Sequence, residues 1–551
     1  MNLAMGLPNL GRMRQIVSVL VLDYGFGYIF EQLGIANLVP LGRRRGAAGK
    51  YVQFSGPARL RLALAELGPT FIKLGQVLSA RADLLPASVV AELRHLQDEA
   101  PAVPFDEIRG RIEAELGRPT ERCFSQLDPT PLSAASLGQV HAAVLPDGRA
   151  VTVKVLRPGA RRVVEADLHI LSDTARLLHR QVPALQPYDL PAFVRQFAEQ
   201  MQDELIYTLE AHNADRLRGI LADASIRVRI PEVHWDLTTR RVLTTERVYG
   251  RRVDRLSETT FDRGAAARAL GHSLLHQIFI DGFFHGDPHQ GNVLFGEDGE
   301  ILMLDFGIMG YLDPRSRSLL AQMVRHIYDE NADDVIETMS ELGSLGPETD
   351  LAVLRADLTG IISRFVTLPR REFPLGEMLS RMLRALWLNQ VRVSPDLALA
   401  VKAVLMTEAI CSELDRDFDF REIGQPVLEE ARSQQLTAPA IYGRLLRAAE
   451  ATGRHFSKLP GQVDRLLSLT GRGRLRLRLD DPGADSRWAG LGRAVNRLSL
   501  SVLSGALLVS GALYLASARH PAYVGLGIAA AGGGVVLGLV AIFSLLRPGR
   551  M

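Results

Sequence analysis

The sequence predicts an α+β chain in which a small strand-rich lobe precedes a larger helical lobe, with a helical extension before the lobes and an apolar helical hairpin after them. Three patterns predict this order. Apolar and polar residues alternate through a hairpin at 140–155, apolar residues recur with helical spacing after 255, and two uncharged stretches cover 498–517 and 524–546. These patterns divide residues 1–546 of the 551-residue chain into six segments: 1–58, 59–122, 123–250, 251–437, 438–497 and 498–546.

The composition supports a large folded core and gives no sign of a charge-driven partner. Hydrophobic residues make up 47% of the chain, charged residues 23%, and the formal net charge is +2. A charge this close to zero offers no electrostatic argument for nucleic-acid binding. Cys123 and Cys411 are the only cysteines and match no metal-ligand spacing, so we interpret both as buried core thiols.

The two C-terminal stretches are long enough to cross a bilayer, since a helix needs about 20 apolar residues to do so. Residues 518–523 are expected to form a tight turn between them, and arginines flank the pair on both sides. The positive-inside rule then places both ends, and the folded part of the chain, in the cytoplasm. We therefore expect 498–546 to be a two-helix membrane anchor with the lipid bilayer as a partner. A hairpin buried inside a globular domain is the alternative.

The N-terminal segment contains a mixed apolar stretch at 14–39 that includes Asp23 and Glu31. It lacks a clean apolar core followed by a small-residue cleavage site, so it is not typical of a signal peptide. An amphipathic helix on the membrane surface and a helix packed against the protein both fit this pattern.

Helix and strand patterns follow one another between these ends. Helical spacing covers 60–96, with breaks at Gly68-Pro69 and Pro86, and returns at 163–220. Strand patterns cover 140–144, 150–155, 228–230 and 241–248, and short apolar strands lie at 293–295 and 301–304. A helical extension and a linker at 438–497 lead to the predicted anchor.

Two acidic motifs carry the main chemical signal. In His285-Gly-Asp-Pro-His-Gln-Gly-Asn292, an aspartate is followed five residues later by an asparagine, and Asp305-Phe306-Gly307 begins eighteen residues after Asp287. Phosphoryl transfer needs one carboxylate to orient the nucleophile, and a second carboxylate with an amide to hold Mg²⁺ on the phosphates. The motifs therefore predict a protein-kinase-like two-lobed fold, with Asp287 as the catalytic carboxylate and with Asn292 and Asp305 as metal ligands.

Lys154 lies in the alternating strand Val151-Thr-Val-Lys-Val155, so its ammonium projects from one face of the strand. In a nucleotide site such a lysine binds the α- and β-phosphates. A solvent-facing lysine is the alternative if this strand is considered alone. A helix glutamate should hold Lys154, and the spacing does not decide between Glu165 and Glu204.

Two departures separate this chain from an ordinary protein kinase. Ser133-Ala-Ala-Ser-Leu-Gly138 occupies the place of a glycine-rich phosphate loop, and Gly138 is its only glycine. Alanine and serine adopt positive φ angles at a cost, so we expect a stiffer loop that holds the terminal phosphate differently. In addition, no Ala-Pro-Glu motif follows Asp305, so the usual docking platform for protein substrates is missing.

A third unusual string is Lys73-Leu-Gly-Gln76, in which Lys73 and Gln76 lie three apart on one face of a helix. From physical chemistry alone this is a surface helix. Taken with the strings above, however, it resembles the K-x-G-Q signature of the UbiB/AarF family of atypical kinase-like proteins. The resemblance covers about 60–411 and includes the alanine-rich loop at 131–141, the strand lysine and both acidic motifs.

The resemblance implies that the Lys73–Gln76 helices fold over the active site, with Lys73, Gln76 and Glu210 as gating residues that block protein substrates. It also favours Glu204 as the partner of Lys154, because Glu204-Leu-Ile-Tyr-Thr-Leu-Glu210 is similar to the family string E-x-D-Y-x-x-E. Ile206 departs from that string, since aspartate is usual there. The expected nucleotide contacts are Ala134, Ala135, Ser136, Gly138, Val140, Lys154 and Glu246.

The resulting hypothesis is a membrane-anchored protein of the bacterial inner membrane that binds ATP or ADP with Mg²⁺. It would hydrolyse ATP or phosphorylate a small or lipid-like molecule in support of ubiquinone biosynthesis. Quinone-precursor lipids and quinone-biosynthesis enzymes are the partners that the resemblance implies. Two other hypotheses remain at this point: a true protein kinase, and a non-catalytic scaffold that binds lipids under the control of a nucleotide.

Overall fold

The computed structural model describes residues 7–26, 54–79, 85–93, 95–96, 101–182, 189–224, 226–256, 261–342, 345, 349–368, 374–389, 391 and 393–435. All of them belong to the first of two compact units, Met1–Ile441 and Tyr442–Met551. The predicted extension at 438–497 and the predicted membrane hairpin at 498–546 lie outside the described residues. Among the helices that are described, none is long and apolar enough to span a bilayer.

Helices come first and last in the described chain, on either side of a group of strands. The helices of the extension are α1 (Leu7–Val17), α2 (Gly56–Leu67), α3 (Pro69–Ser79), α4 (Ala87–Leu93), α5 (Phe105–Leu116) and α6 (Thr120–Cys123). Those that follow the first strands are α7 (Ala160–Gln181), α8 (Leu190–Asp203), α9 (Tyr207–Asp223) and α10 (Arg263–His276). The last six are α11 (Pro314–Tyr328), α12 (Ala332–Glu341), α13 (Leu351–Thr367), α14 (Leu375–Leu388), α15 (Pro395–Leu414) and α16 (Phe420–Gln435).

The strands form one larger sheet and two small ones. The strands are β1 (Gln126–Ala134), β2 (Gly138–Val144), β3 (Ala150–Leu156), β4 (Val228–Arg229), β5 (Val242–Glu246), β6 (Phe283–His285), β7 (Val293–Phe295), β8 (Ile301–Met303) and β9 (Met309–Tyr311). The order β1-β2-β3-β5 gives an antiparallel four-stranded sheet, while β4-β8-β7 and β6-β9 form the small sheets beside the acidic motifs. The strand-rich part therefore precedes the helical part, as the sequence pattern predicts.

The two faces of the larger sheet have different environments because side chains alternate along a strand. Val151, Val153 and Val155 on β3 are fully buried against α5, in a core that includes Ile108 and Ile112. Lys154 lies between two of these valines and so projects from the opposite face. Burial of one face thus fixes which side of the sheet receives the lysine.

The N-terminal helix packs against the protein. Ile16 is buried in a cluster with residues of α2, α3 and α4. Arg12 pairs with the fully buried carboxylate of Asp167 on α7 at 2.7 Å, and the Thr70 hydroxyl donates to the same carboxylate at 2.8 Å. For the described part of 1–58, the packed helix is therefore the alternative that the structure favours.

A break separates α8 from α9. Glu204 is the C-cap that follows α8, Ile206 has φ −123° and ψ 88°, and α9 begins at Tyr207. Because of this break, helical periodicity does not give the relative positions of Glu204 and Glu210, although they are only six residues apart. Both Glu204 and Glu210 line one cleft, together with Asn213 and Gly307.

Candidate active site

Lys154 on β3 lies at the centre of a group of carboxylates. Its Nζ donates to both carboxylate oxygens of Glu210, at 2.7 and 2.8 Å, and lies 3.5 Å from Oδ2 of Asp305. The expectation that Glu204 holds Lys154 is wrong. Glu165, the other candidate, pairs with Arg161 on the exposed side of α7.

Glu204 instead pairs with Lys73 of α3, at 3.2 Å. The break before α9 explains why Glu210 pairs with Lys154 and Glu204 does not. It changes the direction of the chain between the two glutamates, so that Glu210 faces β3 while Glu204 faces the extension. Lys73 therefore lies beside the cleft that Glu204 lines, and its gating role stays a prediction. Gln76 donates to the carbonyl oxygen of Leu96 at 3.3 Å, so its amide bonds within the extension.

The charges in this cluster strongly perturb one another. Burial opposes the charged form of Lys154, but the carboxylates of Asp305 and Glu210 outweigh burial and raise its pKa well above the ordinary value. Burial raises the pKa of Glu210 to about 7, against the attraction of the Lys154 ammonium. For Asp305, burial alone would raise the pKa, but the charges of Lys154 and Lys73 hold it well below the usual range.

Asp305 also has an unusual backbone. Its φ of 56° lies in the left-handed region, which few non-glycine residues adopt, although aspartate tolerates it better than most. The Gly307 amide donates to Oδ1 of Asp305 at 3.2 Å, and Nδ2 of Asn213 donates to the Phe306 carbonyl at 2.9 Å. These bonds fix the turn beside α9, and local strain of this kind is concentrated at functional sites.

His285 organises the catalytic loop from a fully buried position. The Asp287 amide donates to its Nδ1 at 3.1 Å, and its Nε2 bonds the Leu304 carbonyl at 3.1 Å. Because Nδ1 accepts the Asp287 amide proton, the ring is neutral with its own proton on Nε2, and burial, which lowers the pKa of His285, favours the same neutral form. The ring also packs edge-on against Phe306 at 5.6 Å, which joins the two acidic motifs.

The partner of Asp287 comes from a distant helix. Nζ of Lys402, on α15, lies 2.7 Å from Oδ1 of Asp287. Burial alone would raise the pKa of Asp287, but the charge and hydrogen bond of Lys402 outweigh burial and keep that pKa below its usual value. Lys402 belongs to none of the motifs that predict the site. The signal was present, because Lys402 is the only basic residue of α15.

Asn292 and Asp305, the predicted magnesium ligands, carry donor groups that suit Mg²⁺. The Leu304 backbone amide donates to the backbone carbonyl oxygen of Asn292 at 2.8 Å. This bond holds Asn292 next to the strand that leads into Asp305. A carboxylate held ionised and an amide oxygen are hard donors, and Mg²⁺ in nucleotide sites commonly takes only one or two protein ligands. His289 accepts from the Gly291 amide at 2.9 Å, so it stabilises the loop. In the described residues, no group of three or more His, Cys, Asp or Glu side chains forms a metal cluster.

The loop that replaces the glycine-rich loop is a tight turn between β1 and β2. β1 continues through Ala134, the Ala135 amide donates to the Gly138 carbonyl at 2.9 Å, and Ser136 is buried. A Cβ on Gly138 would overlap the hydroxyl of Tyr207 and lie 3.0 Å from the Val155 carbonyl oxygen. The glycine is therefore required by the close approach of α9, whatever its role toward a nucleotide.

Two further predicted nucleotide contacts lie on different faces of the sheet. Val140 is directly opposite Lys154 in the β2–β3 pair, so both side chains lie on the same face. Glu246 is opposite Val151, which projects from the other face, and its carboxylate pairs with Arg229. The predicted contact of Glu246 with a nucleotide would therefore involve its backbone, at the end of β5, and not its carboxylate.

Comparison with known proteins places this geometry in a family. A model described as the ABC1 atypical kinase-like domain matches residues 95–339, and one described as the UbiB helical domain matches 358–419. A probable protein kinase UbiB of Xanthomonas campestris is 33% identical over 85% of this chain and 86% of its own. An uncharacterised protein of Synechocystis is 30% identical over 89% of this chain and 82% of its own.

Among solved structures, the Rv3197–erythromycin complex from Mycobacterium tuberculosis is 23% identical, with a TM-score of 0.45, and covers 71% of this chain and 94% of its own. The sequence relatives are sufficient to assign the family, because their identity extends over most of both chains. The mixed helix and sheet architecture is kinase-like, as the family model describes. This chain belongs to the UbiB family of ABC1 atypical kinase-like proteins.

Proposed function

We propose that this protein binds Mg-ATP and either hydrolyses it or transfers its phosphoryl group to a small or lipid-like molecule in support of ubiquinone biosynthesis. The single observation that supports this most strongly is the Lys154 ammonium, held by both oxygens of Glu210 and 3.5 Å from Asp305. An ion pair of this kind positions a phosphate-binding lysine beside a metal-binding carboxylate in kinases.

Each residue then has a defined task. Lys154 binds the α- and β-phosphates of ATP or ADP, and Glu210 holds it in place. Asn292 and Asp305 hold Mg²⁺, which would neutralise charge on the phosphates. Asp287 accepts a hydrogen bond from the attacking water or hydroxyl, and Lys402 keeps its carboxylate ionised. Ala134, Ala135, Ser136, Gly138 and Val140 form the strand-and-turn surface above the nucleotide.

The extension supports a substrate other than a protein. Lys73 of α3 reaches Glu204 at the cleft, and its charge contributes to the lowered pKa of Asp305. A helix anchored this close to the metal-binding turn occupies space that a protein substrate would need. The absence of an Ala-Pro-Glu motif after Asp305 agrees with this interpretation.

The cellular setting is also part of the proposal. Residues 498–546 would anchor the protein in the bacterial inner membrane, with the kinase-like part in the cytoplasm. This arrangement would keep the protein at the membrane, where quinone-precursor lipids and membrane-associated quinone-biosynthesis enzymes are found. The sequence pattern of 498–517 and 524–546 supports the anchor.

The test is ATP consumption by the full-length protein, with and without anionic vesicles and a polyprenylphenol. We expect turnover that depends on Mg²⁺ and that Asp305→Asn abolishes, while Asp298→Asn, at an exposed turn, leaves it unchanged. Absence of any nucleotide-dependent signal in the unsubstituted protein would refute the proposal.

The same material separates the rival functions. Transfer of labelled phosphate to protein, lost in Asp287→Asn, would indicate a protein kinase. Nucleotide binding without turnover, together with full complementation by Asp287→Asn in cells, would indicate a non-catalytic scaffold.

A further inference from the structure

A cavity of about 150 Å³ lies among the helices of the second half of the chain, away from the phosphate-binding residues. It is bounded by α11, α14, α15 and α16 and by the turn that follows α10, with single contributions from α10, α12 and α13. No charged side chain of the described residues lines it, and the hydroxyl of Tyr328 is the one side-chain hydroxyl in its wall.

Such a space is unfavourable both as an empty cavity and when filled with water. Protein interiors pack with few voids larger than a water molecule, because the atoms that line a void lose their contacts. A buried water needs two to four hydrogen-bond partners, and this wall offers too few for more than one molecule. An apolar ligand would recover the missing contacts. A dry cavity of about this size in another protein accepts benzene, so a few methylene or isoprene units match the volume here.

The composition of the wall suits a flexible chain. Met323, Met339, Met378 and Met382 contribute from four positions on three helices. Methionine is unbranched and polarisable, and it adapts to ligands of varied shape. A rigid, hydrogen-bonding ligand would need fixed polar groups, which this wall does not supply.

We propose that this cavity binds the end of a lipid hydrocarbon chain. The predicted membrane hairpin in the same chain would hold the protein at the bilayer, where lipid is abundant. This favours lipid over a soluble apolar metabolite. The choice of lipid rests on the membrane anchor of the proposed function, but the binding does not require ATP turnover.

The cavity shares a helix with the catalytic loop. On α15, Leu397, Ala400, Val401 and Val404 line the cavity, at the spacing of one helix face. From the adjoining face, Lys402 pairs with Asp287, and Cδ2 of Leu399 lies 2.9 Å from where a Cβ on Gly286 would be. A bound chain would therefore fix the helix that positions Asp287, and we expect occupancy to change turnover. This second step rests on the proposed function.

The binding step is tested by photo-crosslinking of full-length protein in nanodiscs that contain a hexadecanol with a terminal diazirine. Without nucleotide, we expect mass spectrometry to find label on peptides from α14 and α15. Gly424→Leu should reduce this label about tenfold, because Gly424 lines the cavity and an added Cβ would meet only the Tyr328 hydroxyl, at 3.6 Å. Gly360→Leu is the matched control, since that exposed helical glycine has nothing within 4 Å of an added Cβ.

Competition in the unsubstituted protein provides a test that does not depend on how a variant folds. Excess unlabelled hexadecanol should remove the label from α14 and α15. Label that persists under competition, label unchanged in Gly424→Leu, or no label on these helices would each overturn the proposal. If the labelling result holds but no ATP is consumed, then the proposed function fails while the lipid site stands.

Discussion

Replacing Lys402 with methionine removes the ammonium that lies 2.7 Å from Oδ1 of Asp287 while keeping an apolar side chain of similar length. The two side chains are 28% and 24% exposed, so the pair is shielded from much of the solvent. In the native protein, burial would raise the pKa of Asp287, and Lys402 more than offsets that effect. Removing Lys402 leaves burial as the dominant influence.

The size of the effect follows from the loss of one charged hydrogen-bond partner, which contributes about 1.5–3 kcal/mol. Since each pKa unit corresponds to about 1.4 kcal/mol, the acid limb of the activity profile should move upward by about one to two pH units. The direction is fixed by the reaction, because the ionised Asp287 is the stronger acceptor and is the form that can take up the proton of the nucleophile.

The same ion pair should also contribute to the stability of the folded protein. A carboxylate whose folded-state pKa is lowered contributes stability above its unfolded-state pKa and loses it as the pH falls through the folded-state pKa. Lys402→Met should therefore destabilise the protein near pH 7, and the difference from the native protein should shrink in acid. Urea unfolding at several pH values measures this difference.

The assay is single-turnover ATP consumption across pH, with three variants. Lys402→Met should show the displaced acid limb, Lys402→Arg should restore most of the native profile, and Arg384→Met, on the exposed side of α14, should match the native protein. If the acid limb of Lys402→Met coincided with that of the native protein, Lys402 would not govern the ionisation of Asp287, and our argument for its role would fail.

Three further changes test other contacts of the site. Glu210→Gln should weaken Mg-ATP binding by about tenfold or more in calorimetry, and Glu204→Gln by less, because Lys154 donates to both carboxylate oxygens of Glu210 whereas Glu204 pairs with Lys73. Equal losses would contradict this assignment. Gly138→Ala should destabilise the protein by about 1–3 kcal/mol in urea, and a second change, Tyr207→Phe, should recover most of that loss, since the added Cβ overlaps the Tyr207 hydroxyl. Asn213→Ala should cost about 1 kcal/mol and speed hydrogen exchange in the turn after Asp305, because the bond to the Phe306 carbonyl is lost; unchanged exchange would show that the turn is fixed by other contacts.

The sequence located the chemistry where it depends on short, local strings. Lys154 lies on an alternating strand, and the burial of Val153 and Val155 decides which way it projects. Asp287 and Asp305 follow short strands of two small sheets, so their positions come from local pattern and pairing. In such cases, the spacing along the chain is close to the geometry in space.

The glutamate assignment failed because it depends on a non-helical break. The distance between Glu204 and Glu210 cannot be derived from helical periodicity when Leu205 and Ile206 leave the helix. The pairing is then decided by which helix reaches each lysine, and this is a property of tertiary packing. Lys402 was missed for a related reason, since its contact with Asp287 crosses more than a hundred residues of chain, although an isolated lysine on an apolar helix could have drawn attention to it.

The break between α8 and α9 also connects the extension to the nucleotide-binding lysine. Lys73 bonds Glu204 on one side of the break, and Lys154 bonds Glu210 on the other side. Asp305 is influenced by both lysines, whose charges lower its pKa. A divalent cation bound to Asp305 would repel both ammonium groups at once. Since Lys73 is held to the same short segment as the partner of Lys154, the extension and the phosphate-binding lysine cannot respond to the metal independently, and we expect Mg²⁺ with nucleotide to change the hydrogen exchange of α3 together with that of α9.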